Sequence, residues 1–127
     1  MSKMNIMIDI KGYNGSNANT CNSNFSKNAQ YVGIDTSDEN VISTIVAASS
    51  TKSLFSVATA DAKKFIYLET SAECDIIVNG VTESSIKPIV INDSVKNGIF
   101  LKSSDIESVD IINNGTEDIQ IYYITVK

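Results

Sequence analysis

The amino-acid sequence predicts an all-β chain, an antiparallel β-sandwich of jelly-roll-like form preceded by an extended N-terminal arm. Three observations carry that expectation. Ile is the commonest hydrophobe, at 19 of 127 residues, and branched side chains pack well on a pleated sheet while losing rotamers in a helix. From Ala29 onward short apolar segments recur at even spacing, the rhythm of a sandwich or jelly roll. Between them stand Asn79-Gly80, Asn97-Gly98 and Asn114-Gly115, dipeptides that accept the positive φ of tight turns. The length fits one domain able to bury a core without disulfide or metal staples.

In chain order, Asn5 to Ile10 alternates, placing Ile6, Ile8 and Ile10 on one face and Asn5, Met7 and Asp9 on the other, as a half-buried strand requires. From Gly12 to Asn28 the composition turns to Gly, Asn and Ser, with Tyr13 and Phe25 as the large apolar residues. That is too little to offset the entropy of ordering, so the stretch reads as a loose arm. Residues 1–28 are thus expected to form an N-terminal strand and flexible arm, and residues 29–127 the sandwich. Within the latter, strands are expected at Gln30 to Ile34, Val41 to Ala47, Leu54 to Ala58, Lys64 to Glu69, Asp75 to Val78, Ile86 to Ile91, Gly98 to Lys102, Ser108 to Ile112 and Ile119 to Val126. Leu54 to Phe65 also fits a helical spacing, and strand plus loop is preferred there. Pro88 lacks an N–H donor, which makes Ile86 to Ile91 an edge strand or a bulged one.

Composition narrows the chemistry. The chain has no His, no Trp and no Arg, all ten basic residues being Lys, and its formal net charge is −5. The bidentate guanidinium fork that grips phosphate and guanine edges is missing, so nucleic acid is not an expected partner. No apolar run approaches the ~18 residues of a spanning helix, and Met1 to Ile10 alternates where a signal peptide would be continuously apolar. Neither a membrane nor export is expected; the chain is expected to be soluble and made in the cytoplasm. Without His, acid-base work would fall to carboxylates, Lys, Tyr or Cys with strongly shifted pKa, and a Ser-His-Asp relay is impossible. No enzyme activity and no cofactor are expected.

The remaining candidates are weak singly. Cys21 and Cys74 are too few for a zinc site and read as free thiols; a disulfide between them would require an oxidising compartment that nothing in the sequence indicates. Cys74 lies between Glu73 and Asp75, where negative charge disfavours the thiolate, and reads as an inert packed thiol. Asp105, Glu107, Asp110, Glu117 and Asp118 fall at strand ends or alternate with apolar residues, the pattern of a solvated face. The loop Asp35 to Asn40 is rich in oxygen donors and suits a hard cation such as calcium, but it lacks the spacing and glycine of an EF-hand; an ordinary turn with Asx hydrogen bonds is the expectation, and no metal site is assigned. Tyr122 and Tyr123 are adjacent and so point to opposite faces of a strand, one of them into the core. Ile6, Ile8, Ile10, Tyr13, Phe25 and Tyr31 are the candidate interface residues: a strand from Asn5 to Ile10 can add to a neighbour's sheet, and Tyr gives a large rigid contact, although Tyr13 and Tyr31 equally suit packing against their own domain.

Residues Lys64 to Lys127, read as KFIYLETSAECDIIVNG, IKPIVIND, GIFLKS, SVDIINNG and IQIYYITVK, resemble in pattern the small β-sandwich virion proteins of tailed bacteriophages. The Asn/Ile/Lys-rich composition without Arg is similar to that of AT-rich phages of gut bacteria, including the crAss-like group. The resemblance covers about half the chain and transfers a role but no site residues. It implies a virion structural protein, a capsid auxiliary or decoration protein present in many copies or as a homo-oligomer, with other virion proteins such as the major capsid protein as partners. A tail, fibre or portal-vertex component, or a glycan- or receptor-binding module, is the alternative.

Overall fold

The computed structural model describes residues 2–13, 23–36 and 42–127; in the first two stretches side chains are described at Asn5, Met7, Ile8, Asp9 and Gln30. It is all-β with antiparallel sheets, and it divides into two compact units, Met1–Asp35 and Thr36–Lys127.

In the first unit β1 (Ser2–Tyr13) pairs with β2 (Ser23–Thr36) in a two-stranded sheet. The alternation read from Asn5 to Ile10 holds at the positions described, with Asn5, Met7 and Asp9 exposed and Ile8 half-buried. The segment expected to be loose from Gly12 to Asn28 is partly strand. Gly12 and Tyr13 end β1, and residues 23–28 open β2. Pairing of the two backbones satisfies polar main-chain groups there without requiring large apolar side chains.

The second unit holds β3 (Ile42–Val46), β4 (Ser50–Ser56), a 3₁₀ turn at Thr59–Asp61, β5 (Lys63–Thr70), β6 (Cys74–Val78), β7 (Val81–Ile86), β8 (Ile89–Ile91), β9 (Ser94–Lys96), β10 (Gly98–Ile106), β11 (Ser108–Asn113) and β12 (Ile119–Val126). One four-stranded sheet runs β10-β5-β12-β3 and a second runs β4-β11-β6-β7, while β8 and β9 form a separate hairpin. The chain switches sheet between β3 and β4, β4 and β5, β5 and β6, β10 and β11, and β11 and β12. Each switch brings alternate residues of both sheets into one cluster. Ile66, Leu68, Ile119, Ile121, Tyr123 and Val46 meet Cys74, Ile76, Val78, Val109 and Ile111 there, with Ile106 at the end of β10. Each fully buried Ile or Leu contributes about 1.5–3 kcal/mol.

Polar groups inside this cluster are matched. Asn113 is buried, and its Nδ2 donates to the carbonyls of Val46 (3.1 Å), Ala47 (3.1 Å) and Glu117 (2.8 Å), while its Oδ1 accepts from the Gly115 N–H at 2.9 Å. One side chain thereby ties the end of β3 to the β11–β12 connection. Of the adjacent tyrosines, Tyr123 points into the core, packs at 6.4 Å between ring centroids against Phe55 and donates its hydroxyl to the Leu54 carbonyl at 3.2 Å; Tyr122 points out.

The three Asn-Gly dipeptides prove to do three different things. Asn79 and Gly80, with φ of 51° and 77°, form the two-residue hairpin turn between β6 and β7, as expected. Asn79 also clamps the next connection. Its Oδ1 accepts from the N–H of Glu107 (2.7 Å) and Ser108 (3.2 Å), and its Nδ2 donates to the Asp105 carbonyl at 2.9 Å. Asn97-Gly98 makes no hairpin turn. Gly98 begins β10, and a Cβ there would collide with the Lys87 carbonyl, so the glycine serves close backbone approach. Asn114-Gly115 lies in a connection between the two sheets, since β11 and β12 do not pair with each other.

Other expected boundaries shift for local reasons. Ile86 to Ile91 is not one strand: Lys87 and Pro88 separate β7, an edge strand of the second sheet, from β8. Proline cannot continue the ladder. Strand plus loop is correct between Leu54 and Phe65, with β4 ending at Ser56.

Candidate interaction surfaces

The β8–β9 hairpin begins after Pro88 and turns at Asn92-Asp93, both left-handed with φ of 48° and 62°. Asn and Asp tolerate that conformation better than other L-residues, and two such residues in succession match the twist of the flanking strands. The register pairs Ile89 with Lys96, Val90 with Val95 and Ile91 with Ser94. Val90 and Val95 therefore share one face, and Ile89, Ile91, Ser94 and Lys96 share the other. Neither face is covered: Val90 is 67% and Val95 66% exposed, and Ile91 on the opposite side is 55% exposed. A two-stranded hairpin by itself is marginal in water. Its base is held where Gly98 meets the Lys87 carbonyl, beside an ion pair of Lys87 with Glu73 at 3.7 Å.

Directly after that base, β10 contributes Ile99 and Leu101 to the outward face of the first sheet. The ladder pairs Ile99 with Glu69 and Leu101 with Tyr67 on β5, then Glu69 with Tyr122 and Tyr67 with Ile124 on β12. Gln120 on the same face stands opposite the exposed Ile45 of β3. Four strands thus bring Ile99, Leu101, Tyr67, Ile124, Tyr122 and Ile45 to one outward surface, with a shallow depression lined by Tyr67, Glu69, Tyr122 and Ile124. Burial, followed by the neighbouring Glu69 charge and its hydrogen bond, raises the Tyr67 pKa above its ordinary value. The ring therefore stays a neutral, largely apolar platform at physiological pH.

Apolar surface of this extent, edged by few charges, suits protein contact. The reactive groups are placed otherwise. Cys74 is buried and free, and burial, aided by Asp75 and Glu73 and opposed by a hydrogen bond from its thiol to Thr70, raises its pKa. Among the described residues no three acidic or thiol side chains converge as metal ligands, and no helix is long and apolar enough to cross a membrane.

Ile6, Ile8, Ile10 and Tyr13 have their backbone in β1, and Phe25 and Tyr31 theirs in β2. Of the six side chains only that of Ile8 is described, and it is half-buried. Cys21 and residues 37–40 of the oxygen-rich loop lie outside the described residues. The hairpin and the first sheet's outward face were not singled out from the sequence. The available signal was Ile89-Val90-Ile91 beside a proline, an apolar triplet in a segment that Pro88 bars from a central strand. Comparison with protein-family models, with characterised proteins and with solved structures finds no match.

Proposed function

We propose that this chain is a non-enzymatic structural component of an assembly: a β-sandwich virion protein, a capsid auxiliary or decoration protein that binds and stabilises a tailed-phage particle. The observation that carries the reading is the bare apolar hairpin β8–β9 together with the exposed aromatic and aliphatic outward face of the first sheet, whose edge strand β10 follows it in the chain. Leaving such surface in water is costly for a solitary protein, and burying it returns about 25 cal/mol per Å². The two four-stranded sheets with a common core support the sandwich description, and the likeness of residues 64–127 to small phage virion proteins supports the setting. In this reading the segment Met1 to Asn28 is an arm that reaches over neighbouring subunits, with Ile6, Ile8, Ile10, Tyr13, Phe25 and Tyr31 as its anchors and strand addition as its mode.

The test is the chain's copy number and symmetry environment on purified particles, compared with a variant lacking Met1 to Asn28. The reading expects many copies at fixed positions and reduced occupancy of the variant. Absence of the chain from particles contradicts the function, and unchanged occupancy contradicts the arm. A six- or twelvefold ring would move the assignment from the capsid to a tail or portal-vertex position.

A further inference from the structure

We infer that the hairpin face bearing Ile89 and Ile91 docks on the outward face of the first sheet of a second copy of this chain, in a two-fold dimer. The inference rests on the assembly reading and names one partner within it.

The two surfaces match in chemistry. The hairpin face presents two exposed isoleucines with Lys96 on the same side, opposite Ile89. The sheet face presents Ile99, Leu101, Tyr67 and Tyr122 around a single carboxylate, Glu69, which stands between Ile99 and Tyr122 in the ladder. Among the described residues neither Lys96 nor Glu69 has an ion-pair partner. One lysine on an apolar donor and one glutamate on an apolar acceptor form a complementary pair that fixes orientation.

The two surfaces also match in placement. The hairpin leads into β10 through Gly98, and Ile99 is the first outward residue after it. A two-fold axis beside β10 lets each copy give its hairpin and receive its partner's, so that residue i meets j and j meets i, as an isologous interface requires. Both apolar patches are then covered at once. Ile89, Ile91, Ile99, Leu101 and Tyr122 are each 39% or more exposed in the single chain, and all five leave water in the pair. Val90 and Val95, on the other hairpin face, stay available to a different partner.

The experiment is sedimentation equilibrium of the full chain and three variants, with far-UV circular dichroism as the check on folding. Ile89→Thr with Ile91→Thr keeps β-branched residues in the hairpin while replacing its apolar contacts, and is expected to raise the dimer dissociation constant at least about tenfold. K96E is expected to weaken association several-fold, and K96E combined with E69K to restore it to within about twofold of the unaltered chain. A rescue of this kind requires the two side chains to meet across copies. A chain monomeric at every attainable concentration, or a dimer indifferent to all three variants, overturns the inference. A monomer still incorporated into particles overturns this contact alone and leaves the assembly function standing; a dimer that never joins particles does the reverse.

Discussion

The two sheets of the second unit turn similar faces inward and different faces outward. Inward, both present Ile, Val and Leu to the common core. Outward, the first sheet gathers Ile99, Leu101, Tyr67, Ile124, Tyr122 and Ile45 around Glu69, while the second carries Asp75 and Asp110 beside Thr51, Ser53 and Ser85, with Ile77 and Ile112 half-buried among them. The second sheet's polar groups are also engaged locally: Ser85 donates its hydroxyl to Asp75, and the Asn114 Nδ2 donates to the same carboxylate at 3.1 Å. On the second sheet, then, polar side chains alternate with isoleucines that are half-buried, and none of its outward isoleucines is as exposed as Ile99 or Ile45 of the first. The first sheet's edge strand β10 divides instead: its second half carries Lys102, Ser103, Ser104 and Asp105, while its first half leaves Ile99 and Leu101 exposed. In the proposed reading the first sheet's outward face is the binding side, while stability lies in the interior that the two sheets share.

The largest expected effect falls on the shared interior. Leu68→Ala on the first sheet and Ile111→Ala on the second, both fully buried, should each cost about 2–5 kcal/mol in denaturant unfolding, with no distinction between sheets. A much smaller cost at either site would show that its sheet does not build the common core. Next comes Asn113→Ala, which removes the amide's hydrogen bonds to the carbonyls of Val46, Ala47 and Glu117 and to the Gly115 N–H and should cost about 1–3 kcal/mol.

Alkaline unfolding gives a third expectation. Burial raises the thiol of Cys74 above its ordinary 9.0 and the phenol of Tyr123 above its ordinary 10.0. The folded chain holds these protons to higher pH than the unfolded chain does, so stability is intact below about pH 9 and falls as pH rises through the raised values. Denaturant midpoints that stay level up to pH 11 would contradict it. The smallest expected change is at the outward face itself: Leu101→Ser should alter stability by less than about 0.5 kcal/mol while weakening association. Ile112→Ser, on the second sheet, should do the opposite.

The interior was legible in the sequence because it rests on alternation. In β6, β11, β5 from Ile66 and β12 up to Thr125 every second residue is buried, and the expected strands there match the observed ones to within about one residue at each end. β7 was missed for the converse reason: Val81-Thr82-Glu83-Ser84-Ser85 is exposed throughout and only Ile86 is buried, so an edge strand without a buried face leaves no period to read. Asn-Gly dipeptides report where φ can turn positive, not which strands pair. Hence Asn79-Gly80 marked a hairpin, while Asn97-Gly98 and Asn114-Gly115 did not. The outward face was invisible for a further reason. Tyr67, Leu101, Tyr122 and Ile124 lie on three strands far apart in sequence, and only the ladder register of β10, β5 and β12 brings them side by side.

The central claim is that this chain works as an assembly part through the apolar side of its second unit. Hydroxyl-radical footprinting of the chain in native particles tests it most directly. The account predicts protection of Ile89, Ile91, Ile99, Leu101 and Tyr122 with Ile77 and Ile112 modified at the rate their half-burial allows. Free modification of the hairpin and the first sheet's outward face, alongside protection of the second sheet's outward face, would contradict it.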